Sequence, residues 1–174
     1  MAWSGADAGT SEREQSIWPL LRAVDPTFTV NMERTFQARN AKAYEVEILV
    51  APSRAATLSR LEQPMPVPLP EQEWLLMGRT VDRVVICRDA SPARIVAPDP
   101  RWFALQKLWM SRQTKRDPLK RPKDQKQGMA LLNAVHALMP QFPLDEAFEV
   151  ALPDVLVRPY QAWAAQASPR EHSW

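Results

Sequence analysis

Asp99-Pro100-Arg101-Trp102-Phe103-Ala104-Leu105-Gln106-Lys107-Leu108-Trp109-Met110-Ser111-Arg112 runs through a basic link into Lys123-Asp124-Gln125-Lys126-Gln127-Gly128-Met129-Ala130-Leu131-Leu132. The first segment carries Trp102, Leu105 and Trp109 at helical spacing, with Leu108 on the border of that stripe. Two amphipathic helices are predicted, at about Pro100–Gln113 and Lys123–Met139, joined by a proline-broken basic hinge. Two shorter helices flank Pro153 and end near Ala167, with Pro140, Pro143 and Pro159 as punctuation. Lys107 lies off the apolar stripe of its helix. A lysine there offers a point charge for a phosphate; as a surface residue it would instead lay its stem over apolar neighbours.

Upstream the pattern changes. Ser11–Val24 reads as a helix, with Ser11 as cap, Glu12 and Glu14 in the first turn, and Pro19 demanding a kink or a late start. Thr27–Met32, Thr35–Arg39 and Tyr44–Ala51 read as three strands of a β-meander. In the third, Glu45 and Glu47 project from the same face. Two carboxylates so placed suit a divalent metal or a proton; a solvated outer face is the alternative. Ser53–Leu61 is a short polar helix or an irregular excursion. Pro64, Pro66, Pro68 and Pro70 alternate with apolar residues, which suits packing across the domain's own surface or a proline-recognising partner. Thr80–Cys87 and Ala93–Ala97 form a strand pair about the Asp89-Ala90-Ser91-Pro92 turn.

Strands first and helices last argue an α+β fold: a small mixed or antiparallel sheet followed by a C-terminal helical bundle. The expected division is a core over residues 1–97, a helical region over 98–168 and a disordered tail over 169–174. The 174 residues suffice for a core without staples. The net charge of +2 gives no global polyanion-binding signal. The basic residues cluster locally instead, at Arg112, Lys115, Arg116, Lys120, Arg121, Lys123 and Lys126, opposed only by Asp117 and Asp124. Such a patch meets RNA, DNA or a triphosphate, or is simply a solvated loop. The single Cys87 excludes an intrachain disulfide, and the two histidines, His136 and His172, leave no zinc-ligand spacing. Four glycines include no phosphate loop of the Walker or dinucleotide kind. With no signal peptide and no run long enough to span a bilayer, a cytoplasmic bacterial-type protein with no membrane partner is expected.

Three segments together resemble the bacterial nucleotidyltransferase-like proteins of the DNA-polymerase-β superfamily. Asn40-Ala41-Lys42-Ala43-Tyr44-Glu45-Val46-Glu47-Ile48-Leu49 is similar to that family's Asn-Ala-Asp-Gly-Tyr-x-Val-Asp-Leu-Ile strand. Ala97–Leu108 resembles its Pro-x-Pro-x-Arg-x-Ala-x-His-Lys-Leu helix start, and Lys123-Asp124-Gln125-Lys126-Gln127 its Lys-Asp-x-x-Gln second helix. The order and spacing hold from about Ser16 to Trp163. The resemblance implies transfer of a nucleoside monophosphate from a nucleoside triphosphate to a hydroxyl, on RNA or protein. It also implies Mg2+ or Mn2+ held by three carboxylates. The third carboxylate falls on Glu47, where aspartate is usual, with Glu45 beside it. The phosphate-side lysine falls on Lys107, preceded by Gln106 instead of histidine. Lys123 and Asp124 match the helix that closes over the nucleotide, and Arg112 opens the basic link. An acidic side chain of the third strand and the Lys107 ammonium are expected to serve one triphosphate pocket.

The family's Gly-Ser turn and Thr-x-Asp-x-Asp strand lie upstream of the helix that corresponds to Ser11–Val24, and Met1–Gly5 resembles the tail of that strand. The expectation is a truncated chain that begins just after the metal-binding aspartates. Its catalysis would be impaired, and a bare sheet edge would favour self-association. The alternative is a non-catalytic module that binds nucleic acid or protein through the basic 112–126 hinge; a remnant without function is the third possibility.

Overall fold

The structure, a computed structural model, describes residues 17–58 and 64–167. It is mixed α+β, with small sheets in the N-terminal half and packed helices in the C-terminal part. Two compact units meet in sequence between Glu73 and Trp74. The expected Ser11 cap and the C-terminal tail lie outside the described residues, as do residues 59–61 of the excursion and residues 62–63 after it.

The first unit begins with helix α1, Ile17–Val24. Strands β1 (Thr29–Val30), β2 (Gln37–Arg39) and β3 (Glu45–Glu47) follow as an antiparallel meander in the expected order. The predicted third strand breaks at Ile48. Its second half, β4 (Leu49–Val50), leaves the meander and pairs in parallel with β5 (Val67–Pro68). The Ile48 backbone serves both sheets: its N–H donates to Phe36 O, and its carbonyl accepts from Val67 N. Pro68 is tolerated because a two-stranded sheet is all edge. Pro64 and Pro66 are buried, so this part of the proline segment packs on the protein itself. Helix α2 spans Pro52–Leu58.

The turn before β3 carries a backbone cost. Ala43 sits at φ 62°, in the left-handed region, where the resembling family has glycine. Asn40 holds the turn by accepting from Lys42 N and Tyr44 N with its side-chain oxygen. Ala43→Gly should therefore stabilise the chain by about 1 kcal/mol. Urea unfolding checks this, and an unchanged or lower midpoint would count against it.

A 3-10 turn, Pro70–Leu76, runs across the boundary into the second unit, which opens with the hairpin of β6 (Val81–Ile86) and β7 (Pro92–Ala97). Cys87, expected inside the strand, lies exposed in the turn, where Cys87 N donates to Ser91 O. Helices α3 (Pro100–Ser111), α4 (Arg121–Leu138), α5 (Glu146–Val150) and α6 (Asp154–Ala164) complete it. Pro159 does not end α6 but lies inside it, buried.

Asp99 starts α3. Its carboxylate accepts from Arg101 N at 3.0 Å, with Pro100 at the first helical position, where its missing N–H costs nothing. The core takes Trp102 and Leu105 of the predicted stripe and the bordering Leu108, which pack with Leu132, Phe148, Leu156, Tyr160 and Trp163, while Trp109 lies against it partly buried. Aromatic edges meet throughout it, as in the pair of Trp102 and Phe148 at 5.5 Å. Tyr160 and Trp163 bury their bodies and satisfy their polar tips on Leu144 O and Asn133 Oδ1.

Candidate functional site

Helices α3 and α4 pack closely because α4 presents Gly128 at the contact. A side chain there would have its Cβ 2.7 Å from Leu108 Cγ and 2.8 Å from Ala104 O. That approach brings Lys107 of α3 against Asp124, in the first turn of α4. Lys107 Nζ donates to Asp124 Oδ1 at 3.0 Å, and Arg116, from the α3–α4 loop, donates through Nε to Oδ2 at 2.7 Å. The Asp124 side chain is 2% exposed, while those of Lys107 and Arg116 are 19% and 27% exposed. The carboxylate is thus the buried floor, and both cations reach from it toward solvent.

The electrostatics follow. Burial by itself raises the Asp124 carboxyl. The hydrogen bonds from Arg116 and Lys107, with the two positive charges, outweigh it and hold the group below the ordinary carboxylate range. Asp124 is therefore an anion at neutral pH, balanced by two cations, and the cluster carries a net positive charge. Lys107 also lies 5.6 Å from the Phe103 ring centre. It is neither a loose surface lysine nor part of the apolar stripe, but a cation held in place.

The basic link sorts into distinct roles. Arg121 is used structurally: its Nε donates to Arg116 O and its Nη2 to Thr114 O. Arg112, Lys115, Lys120, Lys123 and Lys126 are exposed. Arg112 also lines a cavity of about 130 Å³ with Leu108, Met129, Pro159, Trp163 and Gln166. That space is below the roughly 300 Å³ at which ligand pockets begin, so it does not house a whole nucleotide.

Glu45 and Glu47 belong to the first unit and share one face of β3, as their spacing predicts. Both are exposed. Gln37, directly across from Glu47 in the register, donates through Nε2 to Glu45 Oε2 at 3.2 Å and to Glu47 Oε1 at 3.3 Å. Arg39 lies 3.9 Å from Glu45. Among the described residues no group of three or more His, Cys, Asp or Glu is placed to hold a metal ion. Two carboxylates that already share an amide donor do not by themselves fit a divalent-metal centre.

Lys107 and Asp124, named separately from the sequence, are thus brought together. Glu45 and Glu47 are together in the other unit, and Arg112 and Lys123 stand exposed. Arg116 and Gln37 are the residues the sequence did not single out. Arg116 was one of seven cations in a link, and only the loop's path selects it.

No helix among the described residues is long and apolar enough to cross a membrane. Comparison with curated proteins and with solved structures returns no match. A nucleotidyltransferase family model matches residues 6–153, which include both strands of the meander that carry Gln37 and Glu47 and all of the α3–α4 cluster. The chain belongs to that nucleotidyltransferase family.

Proposed function

We propose that the chain acts on a nucleoside triphosphate as its family does, moving the nucleoside monophosphate to a hydroxyl acceptor with release of pyrophosphate. The acceptor oxygen bonds to the α-phosphorus, the bond from that phosphorus to the bridging oxygen of the pyrophosphate breaks, and the hydroxyl proton passes to a base or to solvent. Lys107 is the phosphate-side cation. The observation that carries this reading is its ion pair with the buried Asp124, at two positions that both match the family's motifs. A lysine alone on a surface wanders through many rotamers. One tethered to a buried anion presents its charge in one place, which lowers the ordering cost of ligand binding. Lys123, Arg112 and their exposed neighbours add a positive field that draws an anionic ligand in.

Glu47, with Glu45, remains the carboxylate candidate of the first unit, by its match to the family's third acidic position. Mg2+ or Mn2+ enters here as the companion of the triphosphate.

The test is a thermal shift of the chain with each nucleoside triphosphate in Mg2+ or Mn2+. Stabilisation by at least one triphosphate is expected, by about 2.7 kcal/mol at a hundred times its dissociation constant. Lys107→Ala should abolish it. No shift with any triphosphate would overturn the reading.

A second reading has its own observation: five exposed cations, Arg112, Lys115, Lys120, Lys123 and Lys126, gathered along the link and the start of α4. That surface would suit nucleic acid as a partner. Steeply salt-dependent binding of RNA or DNA, with no response to triphosphate, would favour it.

A further inference from the structure

The α3–α4 loop supplies a cation that the family motifs do not assign. A buried carboxylate is balanced by one cation, and Lys107 already balances Asp124. Arg116 adds a second, on the other oxygen. Because they share one carboxylate, Lys107 Nζ and Arg116 Nε lie no more than about 8 Å apart, two hydrogen bonds and the width of the group. Two like charges that close repel each other, and a polyanion is the ligand that relieves the repulsion.

The loop is built to hold Arg116 there. Its N–H donates to Gln113 O, and its carbonyl accepts from Arg121 Nε, while Arg121 also reaches Thr114 O. The residue is therefore fixed at its backbone by an arginine from α4 and at its side chain by Asp124. Asp124 engages Nε, one of the five N–H donors of a guanidinium, and the side chain is 27% exposed. A guanidinium offers a planar fork to phosphate oxygens, where the neighbouring lysine offers a point charge.

We propose that Arg116 contacts the triphosphate beside Lys107, and that Asp124 is the positioning residue for both. This rests on reading the chain as one that binds a nucleoside triphosphate.

The experiment is titration calorimetry of the full chain with Mg2+-nucleoside triphosphates and with inorganic tripolyphosphate. Wild type is compared with R116Q, R116K and D124N, each shown by circular dichroism to be folded at the titration temperature. R116Q should bind about tenfold to a hundredfold more weakly, the loss of a charged hydrogen bond. R116K should fall between, since it keeps the charge and loses the fork. D124N should also bind more weakly, although removing a negative charge near an anion would by Coulomb attraction alone tighten it. A positioning role and a simple field effect thus differ in sign. Wild-type affinity in R116Q, or tighter binding in D124N, would overturn the proposal. Should R116Q fail to fold, R116K decides: weaker binding at a matched melting temperature supports the proposal, and equal binding overturns it. If wild type binds none of these probes, the functional reading falls, and this one with it. If wild type binds and R116Q binds equally, only this one falls.

Discussion

Asp99→Ala is expected to destabilise the second unit by about 3–5 kcal/mol, the largest effect of any single polar substitution in it. Asp99 is fully buried and accepts four hydrogen bonds: from Arg79 N, Arg101 N, Arg101 Nε and Arg101 Nη2. The side chain of Arg101 is only 14% exposed and stacks 4.6 Å from the Phe148 ring centre. Without Asp99 that guanidinium keeps its burial and its bond to Pro143 O but loses its counter-charge. The start of α3 loses its cap as well, a term of about 1 kcal/mol contained in the larger one. Gly78 shows how closely the carboxylate is enclosed: at φ 75°, it would place a Cβ 2.4 Å from Asp99 Oδ2. Urea unfolding followed by tryptophan emission reads this directly, because Trp74, Trp102, Trp109 and Trp163 all lie in or against this core. A loss below about 1 kcal/mol would mean that Arg101 finds water or another partner, and the account of Asp99 as its obligatory counter-ion would fail.

Gly128→Val is the second large effect, at about 3 kcal/mol, and it bears on function. The contact it disturbs is not with a flexible side-chain end alone; it includes the backbone oxygen Ala104 O at 2.8 Å from the new Cβ. Overpacking of a close interface costs about 1–3 kcal/mol, and a β-branched residue adds to it. For a unit of this size the melting point should drop by about 10 °C or more. Relief requires α3 and α4 to separate, and that same separation sets the 3.0 Å reach from Lys107 to Asp124. The variant should therefore lose the triphosphate-induced thermal shift in addition to baseline stability. A variant that melts lower yet keeps the full shift would show that the ion pair tolerates helix movement.

Much of the second unit was legible in the residues. Of the α3 stripe of Trp102, Leu105 and Trp109, the first two are core residues because helical burial obeys a fixed period, while Trp109 packs against the core only partly buried and the bordering Leu108 is inside it. The turn at Asp89–Pro92 was legible because its residue types favour turns, and β6 and β7 pair around it. Pro159 misled for a physical reason. Its ring removes one N–H and crowds the preceding turn, which ends a helix left to itself. Here the helix is clamped by Tyr160 and Trp163 on its buried face, and packing outweighs the local cost. The break of the third strand at Ile48 was illegible because alternation says which face a residue takes, not which sheet. Ile48 is divided between two partners, Phe36 and Val67, that are distant in sequence.

The candidate site divides along the same line. That Lys107 stands off an apolar stripe, and that Glu45 and Glu47 share a face, follow from backbone period alone. That Lys107 is a tethered cation does not. It depends on Gly128, nineteen residues beyond the end of the stripe at Trp109, admitting a close helix crossing, and on a loop returning Arg116 to the same carboxylate. Local sequence determined the α+β order of elements, the faces of Glu45, Glu47 and Lys107 and the resemblance to nucleotidyltransferases, because propensity and period act between near neighbours. Which charges neutralise one another was decided only by the tertiary structure. Coulomb energy depends on distance through space, and the ladder from Arg116 to Asp124 to Lys107 joins residues whose neighbourhood exists only once α3 and α4 have packed.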